Sequence, residues 1–497
     1  MVLRRLAFSA TTSFATAILE VVDALLVATI TFSRFFALLL RGRRLEHKPS
    51  VVIVGASFAG LWAQRALSSR FDVTLIDLKD YFEYTPGVLR LFVEPEHLHR
   101  IARPLPAKRC KTVVAEVTEV APDHLTVRAP GESKTTTINF DYLLLACGSL
   151  YPAVDGQRVV KAGAEQPSLK AREGVWVDAA ARLKASDDAI VVGGGPVGVE
   201  LAAEIADVYP EKRVTLISRS DRLCNGMPLK IGDACLAWLR KRHVEVLLST
   251  STTGIRKDGV TLSNGKVLSA GVVYNCAGST ANSAILKSNF AKHLDQSGRL
   301  VVNDNLQVEG HPTIFGMGDL MVHPKSDELK LGHTAELNAH VVAHNVIAMA
   351  DAAKAKGGAK PVKGDGEKTP RKRTSKEKYD PMPSGYDLSA PLPLASYPEG
   401  AHGLTTSPQV YCVSLGKHSA VMGFNGLVLS GWVPSVLKWL LEWTKVAACE
   451  ERPVGTLFWE VADGMTAIMS KTVLKVPART IATGDLLTPT RPLPRED

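Results

Sequence analysis

Val51 to Gly60 (VVIVGASFAG) and Ile190 to Glu200 (IVVGGGPVGVE) each set a glycine turn between an apolar strand and the apolar opening of a helix. That order brings bare backbone N–H groups and a helix N-terminus to one point, the arrangement that binds the negative charge of a nucleotide pyrophosphate. In the first run Gly55 makes the turn and Gly60 lets helix and strand pack closely, while Ser57 stands where the fingerprint prefers glycine. Asp77 closes the next strand, Val73 to Ile76, about 20 residues further on, where a carboxylate accepts hydrogen bonds from an adenosine ribose. The second run holds Gly193, Gly195 and Gly198 in full G-x-G-x-x-G register. Its following strand, Val214 to Ile217, ends in Ser218 and Arg219 instead of a carboxylate. Repulsion toward a 2′-phosphate is thereby removed and a cation offered, so NADPH is accommodated as well as NADH. The alternative is an Arg219 that faces solvent without a role in selectivity.

Two such units must be held by separate strand-helix-strand frames, and a chain of 497 residues has room for two or three domains. Its 45% hydrophobic and 22% charged content fits a globular protein. The excess of 59 basic over 50 acidic residues lies largely in Lys354 to Lys378, which lacks aromatics and reads as a solvated, disordered linker. No nucleic-acid partner is expected, since stacking on bases wants aromatics interleaved with the cations. The seven cysteines, at 110, 147, 224, 235, 276, 412 and 449, form no CxxC or CxxxxC spacing. Disulfide-exchange chemistry and a disulfide framework are therefore not expected. No metal site is expected either.

Both ends of the chain are apolar. Phe14 to Leu40 is long enough as a helix, ~40 Å, to cross a bilayer. Its polar residues Ser13, Thr16, Glu20, Asp23, Thr31 and Arg34 fall within about 80° of one another, a polar stripe on an apolar helix. An interfacial or packed membrane helix is expected, a cleaved mitochondrial presequence being the alternative. If the helix spans, Arg41, Arg43 and Arg44 place the rest of the chain on the cytosolic side. Near the other end Trp432, Val436, Trp439, Leu440 and Trp443 share one helical face, and Lys438, Glu442 and Lys445 take the opposite one. Trp and Leu against Lys is the composition of a helix lying in a membrane interface; an ordinary docking helix with core tryptophans is the alternative. Val413 to Leu429 reads as paired strands leading into it.

Beyond the glycine loops, Leu143 to Ser149 (LLLACGS), with Ala146 and Gly148 in its turn, and Ile314 to Asp319 (IFGMGD) resemble the linking and second flavin motifs of the two-dinucleotide flavoproteins. Glu200 to Ile217, Leu300 to Asp319, Lys330 to Val346 and Asp80 to Arg90 (DYFEYTPGVLR) extend the resemblance. It is to flavoproteins like apoptosis-inducing factor, of the ferroptosis-suppressor type, and more distantly to type II NADH dehydrogenases. The resemblance implies FAD in the first unit, with Asp319 on the ribityl chain, and NADH or NADPH in the second. It also implies Lys330 beside the flavin or nicotinamide ring, Glu200 near the nicotinamide, and a quinone as acceptor. Tyr81, Phe82 and Tyr84 either line an apolar approach to the ring or pack in the core.

The expected architecture is α/β, with two Rossmann-type domains, a C-terminal α+β domain and an N-terminal apolar helix. Residues 1–47 form that helix, 48–158 and 285–350 the FAD domain, 159–284 the NAD(P)H domain, 351–400 the basic linker and 401–497 a membrane-docking domain. The expected activity is membrane-associated transfer of hydride from NAD(P)H to FAD and of electrons to a quinone, in the mitochondrion or at another intracellular membrane. A reductase of a soluble acceptor and a redox effector with little turnover are the alternatives.

Overall fold

The computed structural model describes residues 2–40, 48–152, 160–163, 165–326, 328–358, 393–399 and 408–475. Its helices in chain order are α1 (Val2–Leu40), α2 (Phe58–Leu67), α3 (Leu98–Ile101), α4 (Leu169–Ala185), α5 (Pro196–Val208), α6 (Leu229–Arg240), α7 (Gly332–Gly358), α8 (Trp432–Cys449) and α9 (Pro453–Thr472).

The apolar run at Val51 forms Ser50–Val54, a central strand of a six-stranded sheet ordered Gln307–Val308, His311–Gly316, Tyr142–Leu145, Ser50–Val54, Asp72–Asp77, Lys111–Val114. All neighbours are parallel except the first pair. Both faces are covered, so the strands are apolar without alternation, as Val51, Ile53, Leu143 and Leu144 show at 0% exposure. A second parallel sheet, ordered Glu245–Leu247, Arg213–Ile217, Asp188–Val192, Val272–Asn275, falls between the first sheet's two sequence segments. The connections pair where they cross, Ser149–Leu150 against Thr280–Ala281. In each sheet the chain reverses its direction of addition beside the glycine-turn strand, and the crevice outside that point is where open α/β sheets bind ligands.

A fully buried ion pair helps to join the two halves. Arg172 of α4 is fully buried and donates to both oxygens of Glu83, at 2.8 and 2.9 Å, and to Gln166 Oε1 at 2.6 Å. The Arg172→Ala variant leaves Glu83 as a buried unpaired carboxylate and is expected to lose about 3–5 kcal/mol of stability. Chemical denaturation checks this, and a paired Arg172→Met, Glu83→Leu variant should recover most of the loss.

The helix over the first nucleotide loop, α7, runs to Gly358, past residue 350 where the FAD domain is expected to end. Part of the expected basic linker is also packed. Within 393–399, Ala395 and Tyr397 are buried, and the Asn345 amide brackets Ala395, accepting from its N–H at 2.7 Å and donating to its carbonyl at 3.0 Å. The strongly basic stretch between lies outside the described residues.

The C-terminal segment is a three-stranded antiparallel meander, Val410–Ser414, Ala420–Phe424 and Leu427–Gly431, followed by α8 and α9. In α8 the charged face points inward: Lys438 pairs with Glu200 at 2.9 Å, Glu442 with His97 at 3.1 Å, and Lys445 with Glu336. Trp432, Val433 and Leu437 are exposed, and Trp439, Leu440 and Trp443 half-buried. Tryptophans filling a core are therefore not what this helix shows. Two residues of the polar stripe of α1 are held by the protein, Arg452 pairing with Glu20 at 2.6 Å and with the buried Asp23 at 2.8 Å. Asp23 also accepts the Val454 N–H at 3.0 Å, capping the first turn of α9. Phe14, Ile18, Val21 and Leu25, spaced along one face of α1, are left exposed.

Candidate functional site

At the first loop the backbone takes conformations that only glycine holds easily. Gly55 has φ +107°, and a Cβ there would lie 2.2 Å from the Ala146 carbonyl oxygen. A Cβ on Gly60 would lie 1.8 Å from the Gly55 oxygen, so strand and helix touch through bare backbone. Ser57 is the N-cap of α2, and its side chain makes no capping hydrogen bond. The N–H groups at the head of α2 are thus available to an anion. Asp77 at the end of its strand accepts the Ala56 N–H at 2.6 Å and pairs with Lys79 Nζ at 2.9 Å. A carboxylate has acceptor capacity beyond these bonds, so Asp77 both holds the loop and can receive a ribose.

The second loop repeats the design. Gly193 has φ +121° and would place a Cβ 2.7 Å from the Cys276 carbonyl, and Gly198 lies against the Gly193 oxygen. Gly195, the N-cap of α5, is different: nothing lies within 4 Å of its Cβ position. That space at a helix N-terminus fits a pyrophosphate. Arg219 is exposed at the end of the adjoining strand.

Between the loops lie the residues that the flavin motifs implied. Gly318, φ +67°, turns the chain after the strand His311–Gly316, and its N–H donates to Asn338 Oδ1 of α7 at 2.9 Å. Asp319 follows, accepting from Ser149 Oγ at 2.7 Å, just past Gly148, φ +70°, and from Lys161 Nζ at 3.3 Å. Burial raises its carboxyl, but Lys161, the Ser149 hydrogen bond and Lys330 together outweigh that, holding it below the usual carboxylate value. Lys330 Nζ lies 3.4 Å from the Gly318 carbonyl and 2.8 Å from Glu328, which also accepts from Tyr397. Its charge is therefore partly balanced within the protein.

Glu200 is buried on α5, where it accepts the Ser414 N–H at 2.6 Å and the Lys438 ammonium at 2.9 Å. It is neither a cap nor a surface carboxylate. Tyr81 and Phe82 pack in the core, Tyr84 nearly so, with Phe58 edge-on to Phe82 and Tyr84 at 5.9 and 5.8 Å.

Nothing in the sequence marked Lys161, Lys438, Arg90 or Glu204 as residues of the site. Lys161 carries no motif, and the other three are legible only as members of ordinary helical turns. Arg90 bridges to Glu204 of α5 at 2.7 Å. A cavity of about 210 Å³ opens here, lined among others by Pro86, Arg90, Glu200, Glu204 and Lys438, with Phe8 of α1 also at its wall. Burial raises the Glu204 carboxyl, Arg90 and Lys438 opposing it.

Two Rossmann-type units, one interrupting the other and each opened by a glycine turn at a helix N-terminus, define a two-dinucleotide flavoprotein fold. The family model for pyridine nucleotide-disulphide oxidoreductases matches residues 49–355, and the chain belongs to that family. It uses FAD with NADH or NADPH, and it is an oxidoreductase. The chain is 28% identical over 330 residues to apoptosis-inducing factor homolog B of Dictyostelium discoideum, covering 61% of this chain and 82% of that protein. It is 29% identical over 310 residues to ferroptosis suppressor protein 1 of Homo sapiens, covering 60% and 80%. In fold it is similar to NDH2 from Plasmodium falciparum solved in complex with NADH, with a TM-score of 0.61 at 15% identity, covering 87% of this chain and 99% of that one.

Proposed function

We propose that this protein carries hydride from NAD(P)H to FAD and passes the electrons to a quinone at a membrane surface. The observation that carries the reading is the inverted α8: its cations reach the Glu200 side of the nucleotide cleft while its apolar residues face outward. α1, α8 and α9 pack together and jointly expose Phe14, Leu25, Trp432, Val461 and Ile468, a surface of the kind that marks a lipid-docking face. Bound FAD supplies the relay between a two-electron donor and the acceptor. The protein's residues position and polarise. Gly55, Ser57, Gly60, Asp77, Ala146, Gly148 and Asp319 cradle FAD, and Gly193, Gly195 and Gly198 seat the pyrophosphate of NAD(P)H. Lys330 offers positive charge where hydride transfer brings negative charge, and Glu200, held by Lys438 and Ser414, orients the nicotinamide end.

Steady-state oxidation of NADH and NADPH by the FAD-loaded protein, with a short-chain ubiquinone and with or without liposomes, tests the reading. Rapid turnover stimulated by lipid is expected. FAD reduction without turnover of quinone would sink the quinone step and leave a reductase of another acceptor. Arg219 is tested alongside: Arg219→Glu should lower kcat/KM for NADPH by roughly 10- to 100-fold, the size of one lost charge-assisted hydrogen bond, and spare NADH.

A further inference from the structure

At the head of α7 four titratable side chains from three helices meet beneath the surface. His333 Nδ1 in the first turn of α7 lies 3.8 Å from Asp463 Oδ1 of α9, both largely buried. One turn on, Glu336 pairs with Lys445 of α8, also largely buried. The Lys445 ammonium lies 3.1 Å from the Trp459 ring centroid. The indole N–H of Trp459 is itself buried with no hydrogen-bond partner among the described residues. Arg65 of α2 adds a cation at longer range. Two carboxylates thus share one close ammonium, and the leftover negative charge is costly to bury, so the cluster favours holding a proton. In keeping with this, burial pushes the Asp463 carboxyl up to about 7, Lys445 lowering it and Glu336 raising it.

Its position gives that proton a use. α7 begins beside the Gly318 turn: Ala335 Cβ lies 3.4 Å from a Cβ built on Gly318, and Phe58 lies 3.3 Å from one on Gly332. The opposite face of α9 exposes Leu457, Val461, Met465 and Ile468. The cluster therefore stands between the outward apolar face and the flavin-side end of α7. Reducing a quinone to a quinol takes two electrons and two protons. NAD(P)H delivers both electrons and one proton as hydride, and the second proton must come from water through the protein.

We infer that Asp463 and His333, backed by Glu336 and Lys445, form the relay that supplies this second proton to the reduced quinone. The inference rests on the quinone reading above. Asp463 takes a proton from solvent and passes it to His333, whose ring nitrogen lies 3.8 Å away, and His333 gives it to the quinone oxygen while Asp463 is recharged.

The test compares wild type and Asp463→Asn, both loaded with FAD, with a short-chain ubiquinone and with ferricyanide, which takes one electron and no proton. Asp463→Asn should lower quinone turnover by roughly 100-fold, with ferricyanide turnover within about twofold of wild type. Wild-type quinone turnover should fall as pH rises through about 7, a limb absent from Asp463→Asn and restored by Asp463→Glu. If Asp463→Asn does not retain FAD, His333→Asn gives the same readout. A parallel fall with both acceptors, or an unchanged quinone rate, overturns the relay alone. Wild type that reduces ferricyanide but no quinone overturns the relay together with the reading beneath it.

Discussion

Gly195→Asp is expected to leave a folded, FAD-loaded protein that NAD(P)H reduces only at very high concentration. Gly195 sits at φ −75° and ψ 178°, ordinary for any residue, with nothing within 4 Å of a Cβ. Aspartate is a good N-cap, so α5 should be no less stable. The new carboxylate, however, projects into the space assigned to the pyrophosphate. Two like charges ~4 Å apart at an effective dielectric of ~20 repel by about 4 kcal/mol, so KM for NAD(P)H should rise by roughly 100-fold or more. FAD absorbance per chain and the melting midpoint should stay at wild-type values. Loss of FAD in step with the rise in KM would mean that the two glycine loops do not serve separate nucleotides.

The second large effect is on FAD itself. Asp319→Ala removes the acceptor proposed for the ribityl chain and leaves Lys161 and Ser149 aimed at an empty position. A hydrogen bond to a charged group contributes about 1.5–3 kcal/mol, so FAD should dissociate one to two orders of magnitude more readily. Absorbance of retained flavin after exhaustive dialysis measures this. The pH dependence has a defined sign. Because the Asp319 carboxyl is held below its ordinary value, its contribution is present at neutral pH and is lost only as pH falls through that lowered value. Wild type should thus keep FAD well into mild acid, and Asp319→Asn should show a weaker retention without that acid limb.

The glycine loops were legible because their demands are local: φ at Gly55 and Gly193, and close backbone contact at Gly60 and Gly198, are met within a few residues of chain. The amphipathic split of α8 was legible for the same reason, since Lys438, Glu442 and Lys445 fall on one helical face by spacing alone. Which face would turn inward was not. Lys438 finds Glu200 and Lys445 finds Glu336 across 238 and 109 residues of sequence, and helical periodicity carries no information about such partners. Lys161 was missed because a lone lysine outside any motif looks like surface. The packing of Ala395 and Tyr397 was hidden by the basic, proline-rich surroundings that made the whole segment read as linker.

The placement of α8 also bears on motion. It grips the second nucleotide unit through Lys438 on Glu200, and the first through Glu442 on His97 and Lys445 on Glu336. Arg90 on Glu204 and Arg172 on Glu83 tie the same two bodies from other sides. A hinge that swung one unit away from the other would have to break these partly or fully buried pairs together. The two units are therefore expected to move as one frame, with hydrogen exchange at the contacts between them the same whether or not NAD(P)H is bound.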